Sequence, residues 1–246
     1  MSTPHGQGGS AAQDGGSVRL AARLLLAGQV LYIGVTQFHA GGDANDHPAI
    51  FASYADSGDW KGVHVAQFAA MGLIIAGLIT LCLSLDLRSE FGMWAARLGA
   101  VASAVALALY AVLQAVDGVG NKQVDDAWVG ASSAQKGARF ASAEAMRWLE
   151  WGMRSYHDYA LGIALLLVSG AVLAARAALL PSALAYLIGL SAVAYLLQGW
   201  VVGSEGFSGT HATLIVVAWV LSLAWMMWLA VLTWRSHRAA LPRLAS

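Results

Sequence analysis

The chain has 246 residues, of which 58% are hydrophobic and 11% charged, and its mean hydropathy is +0.61. Soluble domains carry about 25% charged residues, so the composition excludes an ordinary soluble globule and a disordered chain. The 14 basic and 14 acidic residues give a formal net charge of zero, so no overall field attracts nucleic acid. The single cysteine, Cys82, lies in an apolar run and cannot form an internal disulfide. The composition therefore predicts a polytopic membrane protein.

Six apolar runs are long enough to be membrane helices, each of which needs about 20 mostly apolar residues. The runs lack the two-residue alternation of a membrane barrel, so we predict an all-α, polytopic membrane bundle of six transmembrane helices. The predicted spans are residues 20–38, 63–83, 95–116, 159–175, 183–202 and 212–234. The predicted domains are a flexible cytoplasmic tail (1–17), a six-helix transmembrane domain (18–235) and a cytoplasmic tail (236–246).

Two of the predicted loops are long, and both fall on the same side of the membrane, which we call the outer side. The first covers residues 39–62 and the second residues 117–158. In the second loop we predict an extra interfacial helix that opens at Ser132, with Gln135 in the capping-box position. This helix either stands alone or runs unbroken into the fourth span. Within that helix Glu150, Arg154 and His157 share one face, since they are four and three residues apart.

The charges of the polar segments predict the orientation. One side collects eight arginines against three acidic residues, whereas the outer side collects six basic residues against eleven acidic ones. Because cytoplasmic loops carry an excess of Lys and Arg, both termini are expected in the cytoplasm. The prediction is a multi-pass protein of the cell (inner or plasma) membrane, with the lipid bilayer as its surroundings.

Polar side chains within the spans gather in the outer third of each helix. Tyr32, Thr36 and His39 repeat at helical spacing, and so do Tyr110, Gln114 and Asp117. Polar groups at membrane depth face the bundle interior or a wet cavity, so we predict a polar vestibule at the outer face above an apolar plug. The expected lining residues are His39, Gln67, Tyr110, Gln114, Asp158, Gln198 and Glu205.

Three histidines, His64, His157 and His211, mark the outward starts of three different helices. Neutral imidazole is a common metal ligand, so these three are the predicted ligands of a divalent metal, which is the first cofactor to test. Haem ranks below it, because the candidate histidine pairs all lie near one surface. Acid–base catalysis would use His157, Glu150 and Asp117. Interfacial packing of amphipathic side chains explains the same positions without any site.

Several functions are excluded by what the sequence lacks. No lysine lies in a predicted span, which excludes a retinal Schiff base, and no P-loop motif occurs, which excludes ATP binding of that kind. The inner halves carry only isolated hydroxyls, which disfavours a pump or channel. Two hypotheses stay open. One is a membrane-embedded site, metal-dependent or not, that acts on a lipid-soluble or periplasmic small molecule. The other is a non-enzymatic subunit or binding protein that docks onto partner membrane subunits through its outer loops.

Overall fold

The structure is a computed structural model that describes residues 8–175 and 180–240, with side chains for residues 15–175 and 180–236. The described secondary structure is entirely helical, and six helices are long and apolar enough to cross a membrane. This confirms the predicted fold class at that level. A π-helical segment, Val116–Asn121, joins two of the helices. In chain order the helices are α1 (Gly8–Thr36), α2 (His47–Asp56), α3 (Trp60–Ser84), α4 (Glu90–Ala115), α5 (Lys122–Val129), α6 (Lys136–Ala174), α7 (Ser182–Glu205) and α8 (Gly209–Ala240).

The six long helices form a closed ring in chain order. Helix α1 packs against α3, α3 against α4, α4 against α6, α6 against α7, α7 against α8, and α8 again against α1. The chain runs up and down, so residues 37–59, 116–135 and 206–208 all lie at one end, which we call the loop end. Large apolar side chains such as Leu83, Trp200 and Val220 are exposed on the outside of the ring, as expected for a surface that faces lipid.

Small residues let α1 and α3 approach closely. A Cβ atom at Gly28 would lie 2.8 Å from the backbone oxygen of Ala70. Without a hydrophobic force between helices in lipid, such close backbone contact is a main source of association. The α1–α3 contact places His39, just after α1, beside His64 in the second turn of α3.

Three further pieces of helix close the loop end: α2, α5 and the first turns of α6. Helix α2 begins where Asp46 accepts a hydrogen bond from the Ala49 amide at 3.3 Å and Pro48 occupies the first turn, both of which favour a helix start. We call these three pieces the cap. A separate buried cluster holds the cap together, formed by Ile50, Phe51, Tyr54, Trp60 and Ala143.

The helix predicted at Ser132 runs unbroken into the fourth span, one of the two alternatives left open above. Helix α6 begins at Lys136 and continues to Ala174, and Gln135 makes no side-chain capping bond. The predicted capping box is therefore not formed, because the Gln135 backbone amide donates to the Ser132 backbone oxygen at 2.9 Å and not to its hydroxyl. The Nζ atom of Lys136 donates to the Trp128 carbonyl at 2.7 Å, which satisfies the end of α5. At about 1.5 Å per residue, α6 is about twice as long as the roughly 30 Å hydrocarbon core.

Helical structure continues into both of the segments that the sequence analysis assigned to the tails. Helix α1 begins at Gly8, inside the predicted tail 1–17, and α8 continues to Ala240, inside the predicted tail 236–246. The remaining parts of both tails, residues 1–7 and 241–246, lie outside the described residues, as does the segment 176–179. The flexibility and the cytoplasmic location of the two tails stay predictions.

Candidate metal centre

A cavity of about 230 Å³ opens at the loop end, inside the ring and beneath the cap. Apolar side chains, among them Leu113, Ile215 and Trp219, form part of its wall. The polar part of the wall comes from side chains that the sequence analysis placed in the vestibule, together with Tyr54, Glu150 and two arginines. The polar lining residues are Tyr32, Thr36, His39, Tyr54, Gln67, Tyr110, Gln114, Asp117, Arg147, Glu150 and Arg154.

Three side chains converge at this cavity: His39 and Asp117 line it, and His64 lies next to them behind the wall. The Oδ2 atom of Asp117 lies 3.1 Å from His64 Nε2 and 3.8 Å from His39 Nε2. The three ligand-type atoms all lie within 4.8 Å of one another, and they form the one such group of three among the described residues. The cluster is sheltered, because His64 is 3% and Asp117 8% exposed.

The other ring nitrogen of each histidine is fixed by a backbone carbonyl. His39 Nδ1 lies 2.8 Å from the Ala40 oxygen, and His64 Nδ1 lies 2.7 Å from the Trp60 oxygen. A carbonyl only accepts, so each Nδ1 carries the proton and, in a neutral ring, Nε2 carries the lone pair. In histidines that bind metals, a hydrogen bond of this kind from the ring nitrogen that does not bind the metal fixes the orientation of the ring.

Both Nε2 atoms face the Asp117 carboxylate. The 3.8 Å from His39 is longer than a hydrogen bond, and the 3.1 Å from His64 is an ion-pair distance. Two imidazole nitrogens and a carboxylate oxygen therefore point towards one common space. Around a tetrahedral zinc ion with bonds of 2.0–2.2 Å, neighbouring ligand atoms lie about 3.3 Å apart. The observed separations bracket that value.

A chain of hydrogen bonds holds Asp117 from behind. Asn121 Nδ2 donates to Asp117 Oδ1 at 3.2 Å and to Glu150 Oε2 at 2.6 Å. Arg147 in turn donates to the same Glu150 oxygen at 2.6 Å and to the Tyr54 hydroxyl at 2.9 Å. Because Oδ1 is engaged in this way, Oδ2 is the oxygen that faces the histidines.

The π-helical segment positions the carboxylate. The Trp60 indole donates to the backbone oxygen of Asp117 at 3.2 Å, a carbonyl that the widened turn leaves available. Gly118 lies directly against His64, and a Cβ atom there would be 2.8 Å from His64 Cβ. Short π-helical turns occur frequently at functional sites because they redirect side chains.

Aromatic rings enclose the cluster on the cap side. The Trp60 ring centre lies 4.3 Å from that of His64 and 5.0 Å from that of His39. Burial lowers the pKa of His39, but the Asp117 carboxylate outweighs this, so that the pKa is raised overall. The pKa of Tyr54 is raised well above its ordinary value by burial and by the Glu150 charge. The Tyr54 hydroxyl therefore stays protonated at neutral pH.

The predicted histidine trio is not brought together. Of the three, only His64 belongs to the cluster. The Nδ1 atom of His157 lies 3.0 Å from the Ala106 oxygen and its ring packs on Tyr110, so His157 links α6 to α4 and is not among the residues that line the cavity. His211 packs against Phe207, and its Nε2 is buried without a partner among the described residues.

Of the other residues predicted to line the vestibule or to act in catalysis, some line the cavity and others do not. His39, Gln67, Tyr110 and Gln114 line the cavity, as do Asp117 and Glu150 from the predicted catalytic set. Asp158 is fully buried and accepts from Arg154 Nε at 3.0 Å. Gln198 is fully buried inside the bundle, and Glu205 accepts from the Ser208 hydroxyl at the surface. These last three are not among the lining residues.

Four functional or buried polar residues escaped the sequence analysis: Tyr54, Asn121, Arg147 and Gln29. Arg147 was counted as an outer-loop charge, yet it is 1% exposed. Asn121 sits four residues after Asp117, a spacing that puts both on one helical face and was a usable signal. Gln29, also 1% exposed, lies deeper in α1 than the predicted vestibule residues, at the middle of the predicted span 20–38.

Compared with protein-family models, with curated proteins and with solved structures, the chain matches none of them. The fold and the cavity define a multi-pass helical membrane protein with a histidine–carboxylate cluster at one end of its bundle. Any more specific function has to be argued from the geometry of that cluster.

Proposed function

We propose that the cavity binds one divalent metal ion, zinc in the first instance, through His39 Nε2, His64 Nε2 and Asp117 Oδ2. One observation carries this proposal: two imidazole rings, each with its Nδ1 proton committed to a backbone carbonyl, turn their Nε2 atoms towards one carboxylate oxygen. Histidines that bind metal ions are typically held in this way, with the other ring nitrogen bonded to a second partner. Compared with the ligands predicted from the sequence, this set keeps His64 and has His39 and Asp117 in place of His157 and His211.

We further propose that the metal activates water for hydrolysis of a small molecule. Three protein ligands with a fourth position left for water are the pattern of catalytic zinc, which lowers the pKa of bound water to about 7. His39 and Asp117 line the cavity, so the fourth position faces the space where a substrate fits. Glu150 lines the same cavity and is joined to Asp117 through Asn121. We assign Glu150 the role of general base, positioned by Arg147.

The proposed substrate enters from the outer side of the cell membrane. The cavity lies at the loop end, and the charge distribution supports an outside location for that end, with both termini in the cytoplasm. A lipid-soluble or periplasmic small molecule reaches this position from the outer leaflet or from the aqueous phase. The buried hydroxyls of Ser103, Ser169 and Thr233 bond to backbone carbonyls and offer no chain of polar groups towards the opposite side.

Metal analysis of matched variants tests the metal proposal. The purified protein is freed of metal with a chelator, reloaded with zinc, and measured by elemental analysis and by calorimetric titration. His39→Gln and His64→Gln are each expected to weaken zinc binding by more than about 100-fold, beyond the 10–100-fold typical of outer-shell changes. Cobalt in place of zinc gives an independent optical signature of the ligand set.

His47→Gln is the matched control. His47 also lies at the loop end, pairs with a carboxylate (Glu144, 3.0 Å) and packs on an aromatic ring (Phe51, 5.4 Å), but it is not in the cluster. Its replacement should leave about one zinc per chain. Failure of the wild type to hold zinc would overturn the proposal and favour the alternative, a non-enzymatic subunit, which should then co-purify with a larger membrane complex.

A further inference from the structure

Two arginines on α6 line the cavity, and they differ in how many of their donors are used. A guanidinium has five N–H groups. Arg147 donates to Tyr54, Glu150 and the Ala44 oxygen, and its side chain is 1% exposed. This arginine is committed to the fold, because it ties α6 to the cap.

Arg154 keeps part of its guanidinium free. Its Nε donates to Asp158 at 3.0 Å and one terminal nitrogen donates to the Tyr32 hydroxyl at 3.3 Å. Among the described residues the other terminal nitrogen has no hydrogen-bond partner, and the side chain is 13% exposed on the cavity wall. Asp158 fixes the orientation of the guanidinium from the buried side, which leaves the opposite edge to a ligand.

The free edge of Arg154 lies at the deep end of the cavity, away from the metal cluster. Arg154 lies one turn beyond Glu150 on α6, and its partner Tyr32 lies one turn before Thr36, the last residue of α1. One helical turn spans about 5–6 Å, and His39 and Asp117 lie farther out still, beyond the ends of α1 and α4. A ligand lying along the cavity therefore meets a cation at one end and the metal at the other.

The charges and the walls between these ends select the ligand. Arg154 and Asp158 cancel each other, and so do Arg147 and Glu150, while a divalent ion exceeds the charge of Asp117 by one. A single negative charge on the ligand restores neutrality in a cavity from which water is largely excluded. The walls between the ends are apolar and aromatic, from Leu113, Ile215 and Trp219.

We propose that Arg154 is the specificity-determining residue of the cavity, and that the ligand is a small organic monocarboxylate bound with its carboxylate on Arg154 and its uncharged end at the metal cluster. The placement of the ligand's uncharged end at the metal rests on the proposed function. The binding of its carboxylate depends only on Arg154. A planar carboxylate matches the geometry of a guanidinium edge.

The test compares hexanoate with its uncharged analogue hexanamide, in protein with and without zinc. Binding is followed by the concentration dependence of thermal stability and by ligand-observed NMR. The wild type is expected to bind hexanoate at least about 10-fold more tightly than hexanamide, with or without zinc, since a hydrogen bond to a charged group has that effect. The double change Arg154→Gln with Asp158→Asn removes both buried charges together and should abolish the preference while zinc binding persists.

Arg139→Gln is the matched control, since Arg139 lies on the same helix but is exposed. It should preserve the preference for hexanoate. Equal binding of the two probes to the wild type, or a preference that survives the double change, would overturn this inference. A preference that appears only with zinc and ignores the double change would place the carboxylate on the metal instead, which also overturns it. Zinc stoichiometry, measured in parallel, reports separately on the proposed function.

Discussion

On each imidazole of the cluster, one hydrogen bond from Nδ1 decides which ring nitrogen is free to bind a metal. The carbonyl of Ala40 takes the Nδ1 proton of His39, and the carbonyl of Trp60 takes that of His64. Because Trp60 lies one helical turn before His64 and helix side chains lean towards the N-terminus, the His64 imidazole reaches back to the Trp60 carbonyl. The local backbone geometry thus determines the tautomer, and the tautomer determines that Nε2 is the nitrogen that can bind a metal.

Gly118 should be the most sensitive small residue near the cluster. In Gly118→Ala the new Cβ atom meets His64 Cβ at 2.8 Å, so the imidazole or the π-helical segment must move. We expect zinc affinity to fall at least about 10-fold, by analogy with other changes around metal ligands, as measured by competition with a chelating dye. Gly72→Ala, on the same helix as His64 and with no atom within 4 Å of the new group, should leave the affinity unchanged.

Asn121 acts through Asp117 without touching the metal. Asn121→Ala removes both of its bonds, to Asp117 Oδ1 and to Glu150 Oε2, and frees the carboxylate to rotate. Zinc affinity should fall about 10–100-fold while saturating zinc still gives about one ion per chain, as shown by calorimetric titration. Asn45→Ala is the control. It removes a side-chain amide that also lies at the loop end, but whose Nδ2 atom donates only to the backbone oxygen of Glu205. An equal loss in both variants would contradict a positioning role for Asn121.

Part of this residue-level picture is visible in the sequence. Spacing of four and three residues correctly placed Tyr110, Gln114 and Asp117 on one face, and all three line the cavity. Spacing does not tell which histidines meet, because that depends on distances between helices. His157 looks like His64 in the sequence, yet its Nδ1 faces the carbonyl of Ala106 on another helix.

At the scale of the helices, the contact of α1 with α3 sets the distance between His39 and His64. Gly28→Ala should disturb it, since the new Cβ atom would lie 2.8 Å from the Ala70 oxygen. Overpacking of this kind costs about 1–3 kcal/mol, so the midpoint of thermal unfolding in detergent should fall and zinc affinity with it. Gly34→Ala adds the same atom on the same helix with nothing within 4 Å and should cause neither loss.

Helix number and order follow from the apolar runs, whereas helix length beyond the membrane does not. The run 159–175 predicted the fourth span, but α6 begins 23 residues earlier, at Lys136. The extra turns are polar on their outer face and are stabilised by the cap, in which Ala143 packs with Phe51 and Tyr54. A hydropathy pattern records burial in lipid and is blind to burial against another polar segment. For this reason Arg147 looked like a loop charge.

For the whole molecule, the direction of insertion decides which side supplies the substrate. Described arginines such as Arg19, Arg88 and Arg235 lie towards the end opposite the cavity, and because an excess of cations is typical of cytoplasmic segments, we expect that side in the cytoplasm. The only cysteine, Cys82, is 3% exposed, so cysteine labelling in a Cys82→Ser background can report the orientation cleanly.

Gly58→Cys places a thiol at the exposed loop end, and Ser236→Cys places one at the opposite end. A membrane-impermeant maleimide should label Gly58→Cys in intact cells, and Ser236→Cys only after the membrane is permeabilised. The Cys82→Ser protein without a new cysteine measures the background. The reverse pattern would turn the cavity towards the cytoplasm. In that case a periplasmic substrate is excluded, while the zinc and carboxylate sites, which depend on contacts inside one chain, would stand and draw on a cytoplasmic ligand.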